Sequence, residues 1–403
     1  MPNSWKIYML AIVSFLVGTS ENIIAGILDM VAGDMGVSVA AAGQLITVFS
    51  LAYAFGTPIL MALTARVERR KLMLSALSIF FVGNVVAVTS TGYLSLMGSR
   101  IILALSTGLF VVVALTVAAK LAQPGKQGSA IATLVMGFST SLIVGVPLGR
   151  VIAAAYDWKI IFAGIGILGL LAMVAILRTI PKSEGEAPVP VRTQLTMLRN
   201  PKIAIALSIT FFWIFGYSIV YTYISPYLLT ITGMSEKAVS IGLFAFGVAS
   251  LIGSKLGGVS TDKWGVPKTL IGGMLLHSGV LFLLAAFSQS AYLMFPLLML
   301  WALFAWSSAP TQQYYLITLS PEASGIMLSL NTSVLQLAMA AGAGVGGIVV
   351  SGISLSAVGW LGAAGVAVAV VLSAWTFAYS RNETKNIEEK LSLASVESKA
   401  TSA

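Results

Sequence analysis

Residues 257–270 read GGVSTDKWGVPKTL, a basic, glycine-framed loop set between two apolar runs at 239–260 and 269–288. Residues 62–74, ALTARVERRKLML, form a second basic loop between the runs 39–63 and 72–90. Lys71 and Lys268 stand 197 residues apart, and the flanking sequence keeps nearly that offset, with GDMGVSVAAAGQ at 33–44 echoed by TGMSEKAVSIGL at 232–243. The chain is written twice. A helix needs about 20 apolar residues to cross a ~30 Å hydrocarbon core, so each loop reads as the tip of a hairpin between two membrane spans.

Outward from these loops the same pattern continues to both ends. Twelve apolar runs stand out, at 5–27, 39–63, 72–90, 95–119, 129–152, 159–177, 204–227, 239–260, 269–288, 292–317, 324–350 and 356–379. Of the 403 residues, 58% are hydrophobic and 9% charged, where a soluble domain carries about 25% charged residues. The expected fold is an all-α integral membrane protein of twelve transmembrane helices in two pseudo-symmetric six-helix bundles. The bundles are expected at 1–178 and 204–380, joined by a cytoplasmic linker at 179–203 and followed by a disordered cytoplasmic tail at 381–403. Within the linker, residues 191–202 read as a short amphipathic surface helix or a plain loop. The 39 glycines suit helices that must approach closely in lipid.

Charge sets the expected orientation. Lys6, the cluster Arg66, Arg69, Arg70 and Lys71, both lysines at 120 and 126, Arg178 with the linker, Lys255, Lys263, Lys268 and the tail fall on one side, 19 of the 23 basic residues. By the positive-inside rule that side is the cytoplasm of a cell-membrane protein and holds both termini. The net charge of +9 is accounted for by topology, and no nucleic-acid partner is expected. The chain has no Cys, which excludes disulfides and thiolate chemistry. It also lacks an HExxH metal motif, a nucleotide-binding GxxxxGK[ST] loop and a second intramembrane acid beside Glu21. We therefore expect no enzyme, no cofactor and no bound metal, and a monomer whose partners are lipid, protons and a small solute.

Several motifs carry a resemblance. Gly258-x-x-x-Asp262-Lys263-x-Gly265-x-x-Lys268 matches a cytoplasmic loop motif, while its first-half copy has Ala65 and Glu68 where the pattern has Asp and Gly. Arg100 lies in span four, with Ala104 in place of a usual Gly, and span five carries Gly145, Pro147 and Gly149 with Gly137 upstream. On these the chain resembles the major facilitator superfamily, in particular its twelve-span proton-coupled efflux branch, over all twelve spans. Residues 42–74, 106–121 and 306–347 are further similar to bacterial purine efflux pumps and related sugar-efflux permeases. The resemblance implies a secondary transporter working by alternating access, with conformational roles for Gly258, Asp262, Lys263, Gly265, Gly145, Pro147 and Gly149.

The residues themselves point to a cavity. Glu21 is a carboxylate in the middle of an apolar span, where an ionised group costs several kcal/mol unless paired or facing water. It shares a stripe of small and polar residues with Ser14, Gly18 and Ala25, which makes it the candidate proton carrier, a fixed interhelical bond being the alternative. Arg100 is a candidate cavity residue or a structural pin, and Arg150, with Asp157 two turns on, reads as structural. Trp213, Tyr217 and Tyr221 recur at helical spacing on span seven. Trp301, Ser308 and Gln312 share a face of span ten, and Ser329, Thr332, Ser333 and Gln336 share one on span eleven. Aromatic faces with amides and hydroxyls suit a flat, neutral, hydrogen-bonding solute, though each residue read singly is equally a packing contact. Asn331 falls off that stripe as interhelical glue. The lone histidine, His277, reads as a helix–helix contact.

The expected function is export of a small, mostly neutral organic solute by proton antiport. A purine base or nucleoside is favoured, with multidrug or sugar efflux as alternatives and a membrane enzyme as a distant one.

Overall fold

The computed structural model describes residues 4–123, 127–183, 196–320 and 323–401. Among these it contains eleven helices long and apolar enough to cross a membrane. One of them, Glu236–Ala286, is 51 residues long and its backbone breaks at Gly265, where φ is 79°. Only glycine visits that region at little cost, so the break is written in the sequence and the run is two spans. We number the twelve α1 (Ser4–Gly26), α2 (Val39–Leu63), α3 (Arg69–Val88), α4 (Tyr93–Leu121), α5 (Ala130–Ala155) and α6 (Trp158–Thr179) in the first half. In the second half they are α7 (Pro201–Thr222), α8 (236–264), α9 (266–286), α10 (Ala291–Leu319), α11 (Ser324–Gly352) and α12 (Ala357–Thr401).

The helical backbone of α12 runs on to Thr401, through the polar tail. Extending an existing helix needs no new nucleation, and the tail is rich in the helix formers Glu, Lys, Leu and Ala. Residues 191–195 of the surface helix considered at 191–202 lie outside the described residues. Its described end, from 196, is a helical turn leading into α7.

Helix starts follow local chemistry. Ser38 accepts from Ala41 N to begin α2, Asp157 from Lys159 N to begin α6, Asn200 from Lys202 N to begin α7, and Ser235 from Ala238 N to begin α8. Each satisfies one of the backbone N–H groups that a helix N-terminus leaves free. Large apolar side chains such as Phe55, Ile59, Leu63, Ile167 and Leu171 stay exposed on the outside of the bundle. In water such a belt is a liability; against hydrocarbon it is the expected surface.

We call the end of the bundle that carries the basic loops proximal, and the opposite end distal. The named contacts between the halves gather distally. Ser225 Oγ donates to the carbonyls of Ala25 (3.0 Å) and Gly26 (3.1 Å). The Tyr223 ring fits between Gly43 of α2 and Gly346 and Gly347 of α11, where a methyl group on any of the three would collide with it, and its hydroxyl donates to Ala343 O at 2.8 Å. Gly247 of α8 lies against the Ile143 backbone of α5. There α5 passes through a π-helical turn, Ser141–Gly145, with Pro147 just beyond it. Gly145 packs on Thr19 and Gly149 on Ile23 of α1, so the span-five motif lies at the joint between α1, α5 and α8. Proximally the halves separate around a cavity.

Candidate functional site

The cavity measures about 280 Å³, the lower end of the range for small-molecule sites. Its two walls differ. The first half contributes Val111, Leu115, Leu134, Val135, Phe138 and Leu142, together with Ser14, Glu21, Asn22, Tyr53 and Ser139. The second half contributes Trp213, Tyr217, Tyr221, Trp306, Gln312, Gln313, Asn331, Thr332 and Gln336, with the aliphatic Ile214, Ala305, Ala309, Leu335 and Met339 between them. Glu21 is the only charged side chain among the described lining residues.

Glu21 projects from α1 beneath the distal joint. Gln336 of α11 crosses the gap between the halves and donates through Nε2 to Glu21 Oε1 at 3.0 Å. Glu21 Oε2 and Gln336 Oε1 are both buried without a partner among the described residues. Beside them Asn22 donates to Gly18 O (2.9 Å) and Ser141 Oγ (3.3 Å), fixing α1 to α5.

The second-half wall is an aromatic layer with backing. Tyr217 and Tyr221 stack at 5.2 Å with 16° between their planes. Behind Tyr217 lie Trp301 at 5.5 Å and His277 at 6.4 Å, and Phe246 meets Trp301 edge-on at 5.0 Å. Trp301 Nε1 donates to His277 Nε2 at 2.9 Å, so this imidazole accepts on Nε2 and carries its proton on Nδ1. Proximal to the layer, Gln312 donates to Ala206 O (2.7 Å) and Thr210 Oγ1 (2.9 Å), and Thr210 donates to Asn331 Oδ1 (2.8 Å). That chain ties α7, α10 and α11 together and leaves Gln312 Oε1 and Trp213 Nε1 unpartnered.

Of the residues singled out by sequence, Glu21, Trp213, Tyr217, Tyr221, Gln312 and Gln336 come together on this cavity. Three expected there do not. Arg100 is fully buried on α4, donates to the carbonyls of Ser20 (2.7 Å) and Glu21 (3.0 Å), and lies over the Phe49 ring. It is held against the backbone of α1, away from the cavity lining. Trp301 has the right helical face but stands one layer back, its ring 5.5 Å from that of Tyr217, which takes the place on the cavity. Ser333 is part-buried, one residue round from the lining Thr332.

Tyr53 and Trp306 were missed. Trp306, Ala309 and Gln313 form an i, i+3, i+7 stripe in the sequence, a signal hidden by the adjacent Trp301–Gln312 stripe. Asn331 acts as interhelical glue and also reaches the cavity.

The loop motifs diverge as the sequence suggested. In the first copy Arg70 donates to Leu177 O and Ile180 O at 3.3 Å, capping the C-terminus of α6, and Glu68 pairs with Lys71 at 3.6 Å. In the second, Asp262 and Lys263 are exposed beside Gly265, and Asp262 has no ion pair among the described residues. Arg150 reaches past Asp157, which caps α6, to Asp29 and Glu236.

The sequence profile of the Major Facilitator Superfamily matches residues 10–254 and again residues 206–400. The chain belongs to the Major Facilitator Superfamily. Among its relatives, the Bacillus subtilis (strain 168) protein named Uncharacterized MFS-type transporter YbcL is 57% identical over 377 residues, covering 94% of this chain and 97% of that one. Inner membrane transport protein YdhP of Escherichia coli (strain K12) is 31% identical over 373 residues, covering 92% and 96%. The crystal structure of a D-xylose-proton symporter superposes with a TM-score of 0.74 at 19% identity, covering 93% of this chain and 97% of that one. That of a bacterial homologue of the human lysosomal transporter Spinster gives 0.74 at 16%, covering 94% and 97%. At such identities these two speak for the fold. This facilitator is a multi-pass membrane transporter for small molecules and not an enzyme.

Proposed function

We propose that this facilitator exports a small, flat, mostly neutral solute from the cytoplasm across the cell membrane in exchange for protons, and that the solute is a purine base or nucleoside. The observation that carries the reading is the cavity's composition. One carboxyl group, on Glu21, faces a stacked tyrosine pair and the amides of Gln312 and Gln336. Tyrosine faces hold a planar ring, amides meet its hydrogen-bonding edge, and the lack of basic lining residues disfavours nucleotides. The similarity of residues 42–74, 106–121 and 306–347 to purine efflux pumps supports the same choice, and the positive-inside distribution supports a cytoplasmic side for both termini and the cavity's proximal end. Energetically, one proton moving down ~100 mV supplies about 2.3 kcal/mol, enough to sustain roughly a 50-fold gradient of a neutral solute at ~1.4 kcal/mol per tenfold.

A second reading rests on the other wall. The apolar face from Val111 to Leu142 also suits a lipophilic drug. Growth of a transporter-free strain carrying this gene, on toxic purine analogues and on lipophilic cations, separates the two. Protection against the analogues that disappears with Tyr221→Ala supports the purine reading, and protection against the cations alone rejects it.

A further inference from the structure

The bond from Gln336 to Glu21 spans the two halves and leaves a matched pair of buried atoms unused. Gln336 Nε2 donates to Glu21 Oε1 at 3.0 Å, while Glu21 Oε2 and Gln336 Oε1, the other oxygens of the same two groups, have no partner among the described residues. Both side chains are more than nine-tenths buried. A carboxylic acid and a primary amide have the donor and acceptor pattern of a two-bond ring, in which N–H donates to the acid carbonyl and the acid O–H donates to the amide carbonyl. One proton on Glu21 Oε2 therefore satisfies both orphans at once. Without it neither oxygen has a hydrogen to give the other, and the amide carbonyl is better turned to a donor elsewhere.

We infer that Gln336 is the residue through which solute and proton exclude each other: a proton closes the Glu21–Gln336 ring, and a solute N–H takes the Gln336 carbonyl when that ring is open. The inference rests on the proton-antiport reading above and adds to it the coupling residue and the solute feature it reads, an N–H on the edge of the ring. The proton arrives from water on the distal side and leaves to water through the proximal cavity. Direction follows from the location of the bond. Closing the ring adds a second hydrogen bond between α1 and α11, which favours the state described here, with the halves joined distally. Proton entry thus drives the cavity towards the cytoplasm, and solute binding there requires the proton to leave.

Among the groups around Glu21, Tyr53 on α2 and Arg100 on α4 are titratable or charged. From α5 it meets the neutral Ser141, through Asn22, and across the cavity stand the α7 tyrosines and Gln336 of α11. His277 lies behind Tyr217. Tyrosine hydroxyls keep their protons and arginine its charge across pH 5–8, so Glu21 is the group that switches.

The test is difference infrared spectroscopy of the full-length protein in lipid across that pH range. The protonated-carboxyl band absent from Glu21→Gln is the Glu21 band, and in Gln336→Met it is expected to move to higher frequency as the acid loses its partner. A measurement free of a Gln336 variant accompanies it. With 13C at the glutamine amides, an amide carbonyl band should shift on the same pH step in the wild type and not in Glu21→Gln. Radiolabelled adenine is the binding probe. Its affinity should fall about tenfold for each unit decrease in pH where one proton competes, and the slope should flatten in Gln336→Met. A Glu21 band unmoved by Gln336→Met, no coupled amide shift, or a slope that survives the variant would overturn the proposal. If adenine binds none of the proteins, the purine reading fails and the infrared bands alone decide the ring.

Discussion

The Arg150 guanidinium of α5 lies 3.4 Å from the Glu236 carboxylate at the start of α8, an ion pair that fastens the first half to the second at the distal end. The same guanidinium holds Asp29 through both terminal nitrogens, at 2.8 and 3.1 Å, and donates to Gly26 O. Arg150 is fully buried, while the Glu236 side chain is 57% exposed. The two sides of this clasp therefore differ in strength, because an exposed partner contributes about 0–1 kcal/mol and a buried cation stripped of its partners costs several.

Glu236→Gln is accordingly expected to loosen the distal joint without unfolding the protein. In this Cys-free chain, Ser225→Cys provides a probe buried between the halves. Its labelling by an impermeant thiol reagent from the distal side should rise by up to about fivefold in the Glu236→Gln background, the factor that ~1 kcal/mol allows. An unchanged rate would mean that the ion pair does not hold the joint.

Glu21→Gln is expected to abolish uphill, pH-driven efflux from vesicles, since the amide cannot carry a proton, and to weaken equilibrium exchange while removing its pH dependence, because its NH2 donates to the Gln336 carbonyl at every pH. Uphill transport by the variant would remove Glu21 from coupling.

Trp301→Phe removes the donor to His277 and leaves a fully buried imidazole nitrogen unsatisfied, at a cost of about 1–3 kcal/mol. The melting temperature in detergent should fall, and solute affinity should weaken because the backing of Tyr217 shifts. Stability lost without any change in affinity would restrict this pair to packing.

Where α8 crosses α10, Gly253 and Gly257 face the backbone carbonyls of Leu303 and Ser307, whereas a methyl group on Gly272 meets nothing within 4 Å. Gly253→Ala should destabilise the protein markedly and Gly272→Ala hardly at all, as read by melting temperature, because a backbone carbonyl has no rotamer with which to give way.

Asp262 stands exposed beside the Gly265 bend in the state described here. A gating role predicts that its carboxylate finds a partner when the proximal end closes. Labelling of Ser139→Cys in the cavity should then become faster in Asp262→Asn, as the open state gains population. Equal rates would leave Asp262 without a part in the gate.

The fold was legible because lipid imposes its own spelling: about twenty apolar residues per span, basic loops on one side, and a repeat that showed the halves. Helical periodicity also brought together part of the cavity, since Tyr217 and Tyr221 must share a face of α7 and Gln336 lies on the polar stripe of α11. What it lacked was depth and partner. Trp301 has the correct angle and stands one layer back, behind Tyr217, and Arg100 carries a charge that carbonyls of α1 had already claimed. The bond from Gln336 to Glu21 joins residues 315 positions apart. No local pattern announces such a pairing, because it depends on how two bundles are docked.

The Tyr223 ring among Gly43, Gly346 and Gly347 has a consequence for the membrane's battery. A carrier that spends a proton gradient must not also be a wire. An aromatic plug seated in notches that no side chain fills, with its hydroxyl occupied by Ala343 O, takes up the space between α2 and α11 that a file of water would need. Insulation of this kind favours glycine at all three notches for reasons separate from folding. Variants there that still fold and bind should betray themselves as a background conductance.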